Sequence, residues 1–136
     1  MYITVETSIK AAIGKVWECW TDPAHIVNWN FASNEWECPS AKNDLRPNGA
    51  FNWRMEAKNG TMGFDFTGVY NEIIENELIA YQISDGRKVT VEFIIVDNEV
   101  KVVESFEAEG SNADQQQKAG WQAILNNFKN YVEAIK

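Results

Sequence analysis

Residues 121–135 read WQAILNNFKNYVEAI and place Trp121, Leu125, Phe128, Val132 and Ile135 at steps of four, three, four and three. That spacing runs one apolar stripe along a helix. A lone amphipathic helix buries its stripe only against another element, and most of the preceding chain alternates with the period of a strand. The pattern predicts one long helix laid across a curved antiparallel sheet, an α+β fold with room for a ligand between the two. A helix of about 24 residues spans ~36 Å, enough to run the length of such a sheet.

Working outward, seven stretches read as strands. Residues 2–9 alternate Ile3, Val5, Thr7 and Ile9 with polar neighbours. Helical spacing then takes over: Ile13, Val16, Trp17 and Trp20 share a face, and Asp22-Pro23 supplies an N-cap with proline at the first helical position of a second short helix, about 23–29. These two helices would close one end of the curled sheet. A short strand over 34–38 should stop at Pro39, with a loop from Ser40 to Asn48. Phe51, Trp53 and Met55 alternate with Asn52, Arg54 and Glu56, and Asn59-Gly60 turns the chain into Met62, Phe64, Phe66, Gly68 and Tyr70 on one parity. Gly68 leaves a bare spot where the sheet can bend or another group approach closely. Strands follow at Leu78 to Ser84, Val89 to Ile95 and Val100 to about Ala108, separated by Asp85-Gly86 and Asp97-Asn98. Ser111 or Asn112 is placed to cap the closing helix.

Composition narrows the function classes. The 136 residues suit one domain over 1–136, without repeat or linker. Six Trp, seven Phe and four Tyr make an unusually aromatic interior. A net charge of −8 repels phosphate backbones and anionic lipid surfaces, which argues against nucleic acid and membrane partners. No apolar run approaches the ~20 residues that span a bilayer. The start, Met1 to Glu6, lacks a secretory pattern, so a cytoplasmic address is expected. Cys19 and Cys38 read as reduced, buried thiols. With a single histidine, no CxxC, no P-loop and no dinucleotide fingerprint, neither metal nor cofactor is expected.

Several motifs in order carry a resemblance. Val16-Trp17 with Thr21-Asp22-Pro23 and Trp29, Asp44-Leu45-Arg46-Pro47-Asn48-Gly49 followed by Phe51, Gly68 with Tyr70, Glu72 and Ile73, and Gly120-Trp121 with Leu125 span nearly the whole chain. Together they resemble the family of homologues of the activator of heat-shock protein 90 ATPase, within the START-like or SRPBCC helix-grip superfamily. Asn48 stands where that family usually has the first of two glycines, and Asn tolerates the left-handed backbone the turn needs. The resemblance implies a helix-grip fold: a curved seven-stranded antiparallel sheet around a long C-terminal helix, two short helices between strands 1 and 2, and a cavity under the helix. Relatives include lipid and hormone binders, polyketide cyclases and a co-chaperone domain, so the scaffold locates a site without fixing its chemistry.

By parity and helical phase, Trp36, Phe51, Trp53, Met55, Phe64, Phe66, Phe93, Glu104, Phe106, Trp121, Leu125 and Phe128 face the space between sheet and helix. Such walls suit a small apolar or aromatic molecule, or simply fill a core. Glu104 shares parity with Val100, Val102 and Phe106. Facing inward, its carboxyl must be paired, wet or protonated; a bulge turning it outward, or a partner such as Tyr81 or Arg54, is the alternative. His25 reads as a surface residue, and Asp44 with Arg46 as a brace for the turn before the third strand. Three functions follow: binding of a small apolar or aromatic ligand, a cyclase or hydrolase using Glu104, and co-chaperone-like stimulation of a heat-shock ATPase. A homo-oligomer contact stays open beside them.

Overall fold

The computed structural model describes residues 1–110 and 113–135. The elements are β1 (Tyr2–Ile9), α1 (Ile13–Thr21), α2 (Pro23–Ile26), β2 (Trp36–Asn43), β3 (Ala50–Ala57), β4 (Gly63–Ile74), β5 (Leu78–Ile83), β6 (Lys88–Val96), β7 (Glu99–Glu107) and α3 (Asp114–Ala134). The strands form one antiparallel sheet in the order β1-β7-β6-β5-β4-β3-β2. From β2 onward each strand pairs with its chain neighbour, while β1 closes against β7 at the far side. This is the helix-grip arrangement, with α3 held in the curl of the sheet.

The turns take the left-handed backbone their residues favour. Gly60 and Gly86 have φ of 77° and 96°, and Asp97 has 56°. Asn48 sits at φ 69°, and the following Gly49 is forced by crowding: a Cβ there would lie 2.0 Å from the Asp44 carbonyl oxygen. The Asp44–Arg46 brace is present as a two-pronged contact, Nε to both carboxylate oxygens at 2.8 and 2.9 Å, on the surface. The bare spot at Gly68 is filled by the Phe51 ring, which a Cβ would approach to 2.7 Å.

Two expected boundaries shift. The second strand does not stop at Pro39 but runs to Asn43, displacing most of the expected loop. Its pairing with β3 slips between Glu37 and Ser40, and β2 is an edge strand. A proline without an N–H is tolerated there because the bulge and the open edge require no ladder bond from it. The second helix ends at Ile26 rather than near 29, after which tighter turns carry Trp29 inward. There its indole N–H donates to the Cys19 carbonyl at 2.9 Å and its ring meets Trp20 and Phe128. The capping role expected of Ser111 or Asn112 lies outside the described residues.

The stripe on α3 buries Leu125, Phe128 and Val132 completely. The polar flank of the same helix covers the edge of β1. Gln122 Nε2 donates to the Glu6 carbonyl and Lys129 Nζ to the Ser8 carbonyl, two positions apart on that edge. Edge groups that would otherwise recruit another strand are thereby occupied. At its start α3 is tied to the segment after β7, where the Gln117 side-chain amide brackets the Glu109 backbone at 2.9 and 3.2 Å.

Candidate functional site

A cavity of about 280 Å³ opens between the sheet and the first half of α3. Its walls are Trp20 from α1, Trp29 and Asn30 after α2, Trp53 and Met55 from β3, Phe64 and Phe66 from β4, Tyr81 from β5, Arg87 from the β5–β6 turn, Glu104 from β7, Glu109 after it, and Trp121 and Ile124 from α3. The rings brace one another. Trp53 stacks on Phe66 with centroids 5.7 Å apart, Trp121 meets Phe66 edge-on at 6.2 Å, and Trp20 lies 5.0 Å from Trp29. Large planar groups meeting at such angles leave space that smaller side chains would close.

Of the residues expected to face this space, Trp53, Met55, Phe64, Phe66, Glu104 and Trp121 line the cavity. The others are placed elsewhere. Phe51 is packed among Trp53, Phe66, Tyr70 and Tyr81. Phe93 lies against Trp17 and Trp20, Phe106 lies beneath Trp121, and Leu125 and Phe128 are sealed in the core. Trp36 is half-buried near the edge, facing Phe64. Parity assigned these rings to the inner face, but it does not say how far along the curl each one sits. Phe93 and Phe128 fill core against Trp20, Phe106 is covered by Trp121, and Phe51 is enclosed by the rings around it.

Sequence reasoning missed several lining residues. Tyr81 shares the inward parity of Ile79 and Ile83, so strand alternation alone could have found it. Trp20 and Trp29 belong to the stretch expected to close one end of the sheet, and there they also become wall. Ile124 lies one turn beyond Trp121 on α3. Asn30, Arg87 and Glu109 sit in turns and segments where no periodicity marks the direction of a side chain.

Glu104 occupies the polar end. It pairs with Val5 on one side and Val91 on the other in unbroken ladders, so no bulge turns it outward. It is 5% exposed, and among the described residues no hydrogen bond or ion pair reaches its carboxyl. Arg54, one partner considered for it, pairs instead with Glu56 and Asp65. Burial pushes the Glu104 carboxyl from 4.5 up to about 8, so the acid is protonated at neutral pH. The other partner considered, Tyr81, is fully buried two strands away, and its hydroxyl is pushed well up by burial and further by the Glu104 charge. Arg87 reaches the same end but is engaged, with Nε 2.8 Å from Asp85 and Nη1 3.4 Å from the Glu107 carbonyl.

Elsewhere, Glu18, Asp22 and His25 bring possible ligand atoms within 4.8 Å of one another. The Asp22 carboxylate caps α2 at the Ala24 amide, and His25 Nδ1 is 2.6 Å from the Tyr131 hydroxyl. His25, expected on the surface, is therefore a half-buried link between α2 and α3. Both cysteines are buried and free, with thiols pushed up chiefly by burial. No helix among the described residues is long and apolar enough to cross a membrane.

The profile of the family described as activator of Hsp90 ATPase homolog 1-like protein matches residues 10–133. The chain belongs to that family. Its structure is similar to the solution structure of an AHSA1-like protein from Aeromonas hydrophila, 42% identical, with 98% of this chain and 93% of that one covered and a TM-score of 0.93. A protein of Cytophaga hutchinsonii is 51% identical over 96% of this chain and 91% of its own, with a TM-score of 0.84. The Aha1 dimer of Colwellia psychrerythraea, at 15% identity, 98% and 97% coverage and a TM-score of 0.76, shares the fold. No curated protein matches the chain. The AHSA1-like assignment accounts for the order of motifs from Val16-Trp17 to Gly120-Trp121 and leaves the occupant of the cavity to be argued from its walls.

Proposed function

We propose that this chain is a small-molecule binding domain whose cavity, under the first half of α3, takes a ring-bearing or apolar ligand with one polar group. The observation that carries the reading is the combination of about 280 Å³ walled by aromatic rings with a buried carboxyl that has no partner among the described side chains. Packing alone would leave neither the space nor the unpaired acid, since interiors are close-packed and buried polar groups are normally hydrogen-bonded. The volume is near the lower end of pockets that hold small organic molecules, which points to one or two fused rings rather than a long acyl chain.

The test is to fill the cavity. Ile124 lines it from α3, and Ile124→Trp should block it while the helix still packs through Leu125 and Phe128. Titration with 2-naphthol, followed by its fluorescence, should show one saturable site in the wild type and none in the variant. Equal binding by both, or none by the wild type, refutes the reading.

Self-association is a second reading. Ile94 and Val96 are exposed on the outer face at the end of β6, to 41% and 48%. Such a patch is a candidate contact face, and a dimer is named for the Colwellia relative. Light scattering should then give a dimer mass that Ile94→Lys halves; a monomer at high concentration removes this reading.

A further inference from the structure

We infer that the cavity selects an organic cation, an amine whose ring lies against the tryptophan walls while its ammonium pairs with the Glu104 carboxylate. This rests on the ligand-binding reading above and goes on to name the chemical class.

The first support is what Glu104 lacks. Of the other buried polar groups, Asn30 contacts Cys38 and Gln117 brackets Glu109, while Asn52 Oδ1 has no partner but lies outside the lining of this cavity. Glu104 is aimed into the cavity with no partner among the described residues, so its carboxyl is left for a group from outside, water or a ligand, to meet. The second is the material of the walls. Trp20, Trp29, Trp53 and Trp121 border one small space. Indole rings attract a cation through their quadrupole more strongly than other side-chain rings do, and aromatic boxes beside an acid are a recurrent way to hold an ammonium.

The charges around Glu104 agree. Its strand neighbours on β1 and β6 are Val5 and Val91. Helix α3 contributes Trp121 and Ile124, and the α1–α2 end contributes Trp20, Trp29 and Asn30, all uncharged. Tyr81 from β5 is neutral, and Glu109 adds a second carboxyl to the lining. Arg87 is the cation of the lining and is already engaged by Asp85. The net charge of −8 favours the approach of a cation over an anion.

The binding step balances simply. At neutral pH Glu104 carries its proton. When the ammonium enters, keeping its own protons, the Glu104 proton leaves to solvent and the carboxylate accepts hydrogen bonds from the ammonium. Binding therefore releases a proton and tightens as pH rises toward the carboxyl's own titration. A neutral ligand accepting a hydrogen bond from protonated Glu104 would do the opposite.

Calorimetric titration with tryptamine and its neutral isostere tryptophol, in buffers of differing ionisation enthalpy, separates these cases. At neutral pH tryptamine should bind at least ~10-fold more tightly than tryptophol and release close to one proton, and its affinity should rise from about pH 6 to about pH 8. Glu104→Gln should keep tryptophol binding and lose both the preference and the proton release. Equal affinities, or tryptamine binding without proton release, overturn the cation inference and leave the cavity reading standing. Failure of both molecules to bind overturns both. Should the variant not fold, proton release by the wild type decides the matter alone.

Discussion

The Trp121 indole stacks flat on the Phe106 ring, with centroids 3.9 Å apart and planes 11° from parallel. Phe106 is wholly buried on β7, whereas Trp121 is half-buried on α3 and turns its remaining surface to the cavity. One contact thus seats the helix on the sheet and builds the wall of the site. Trp121→Ala should cost about 2–4 kcal/mol of stability, less than a fully buried ring because part of the indole borders open space. Urea unfolding checks this, and a loss below about 0.5 kcal/mol would mean the stack does not hold the helix.

Glu104 makes stability fall as pH rises. Its folded carboxyl titrates near 8 against an ordinary 4.5, so between those values the unfolded chain gives up the proton and the folded chain keeps it. Its contribution is complete below about pH 4.5 and is lost as pH climbs through about 8. Each pH unit in that window removes up to about 1.4 kcal/mol, less where water reaches the carboxyl. Glu104→Gln should therefore gain on the wild type by roughly 1–3 kcal/mol between pH 5 and pH 8.5. Chemical denaturation at the two pH values measures the gap; an unchanged gap would mean that Glu104 titrates like a surface acid.

Gly68 and Phe51 face each other across the β3–β4 ladder. A Cβ at residue 68 would meet the Phe51 ring at 2.7 Å and the Gln82 carbonyl oxygen at 2.5 Å. Gly68→Ala should destabilise by about 2–3 kcal/mol, because the backbone oxygen cannot move aside. The companion change Phe51→Leu should relieve the ring clash and leave the carbonyl clash, so the double variant recovers only part of the loss. Full additivity of the two losses in denaturant unfolding would contradict the proposed contact.

Tyr131 ties α2 to α3 through His25 at 2.6 Å. Tyr131→Phe removes the hydroxyl and keeps the ring, and should cost about 1 kcal/mol. Faster amide exchange at residues 25–30, with α3 unchanged in its middle, is the expected signature.

The sheet, its hairpins and the last helix were legible because each rests on a period or a turn dipeptide: alternation at Phe51, Trp53 and Met55, Asn59-Gly60, and the 3.6-residue stripe from Trp121. Pro39 misled because a proline stops an interior strand, whereas an edge strand absorbs it in a bulge. The cavity was legible in half. Parity put Glu104, Trp53 and Phe66 on the inner face, yet it also put Phe106 and Phe128 there, since alternation gives the face and not the depth along a curved sheet. Asn30 and Arg87 reach the site from turns, where direction depends on tertiary packing rather than on local pattern. Glu104's lack of a partner needed the positions of its neighbours, which only the folded chain supplies.

The six tryptophans give the most direct test of the cavity. Four of them, Trp20, Trp29, Trp53 and Trp121, line it, while Trp17 and Trp36 do not. In a two-dimensional NMR titration with indole, the side-chain N–H signals of those four should shift together and saturate as a single site, with Trp17 and Trp36 unmoved. Signals that do not shift, or shifts centred on Trp17 and Trp36, would contradict a ligand site beneath α3.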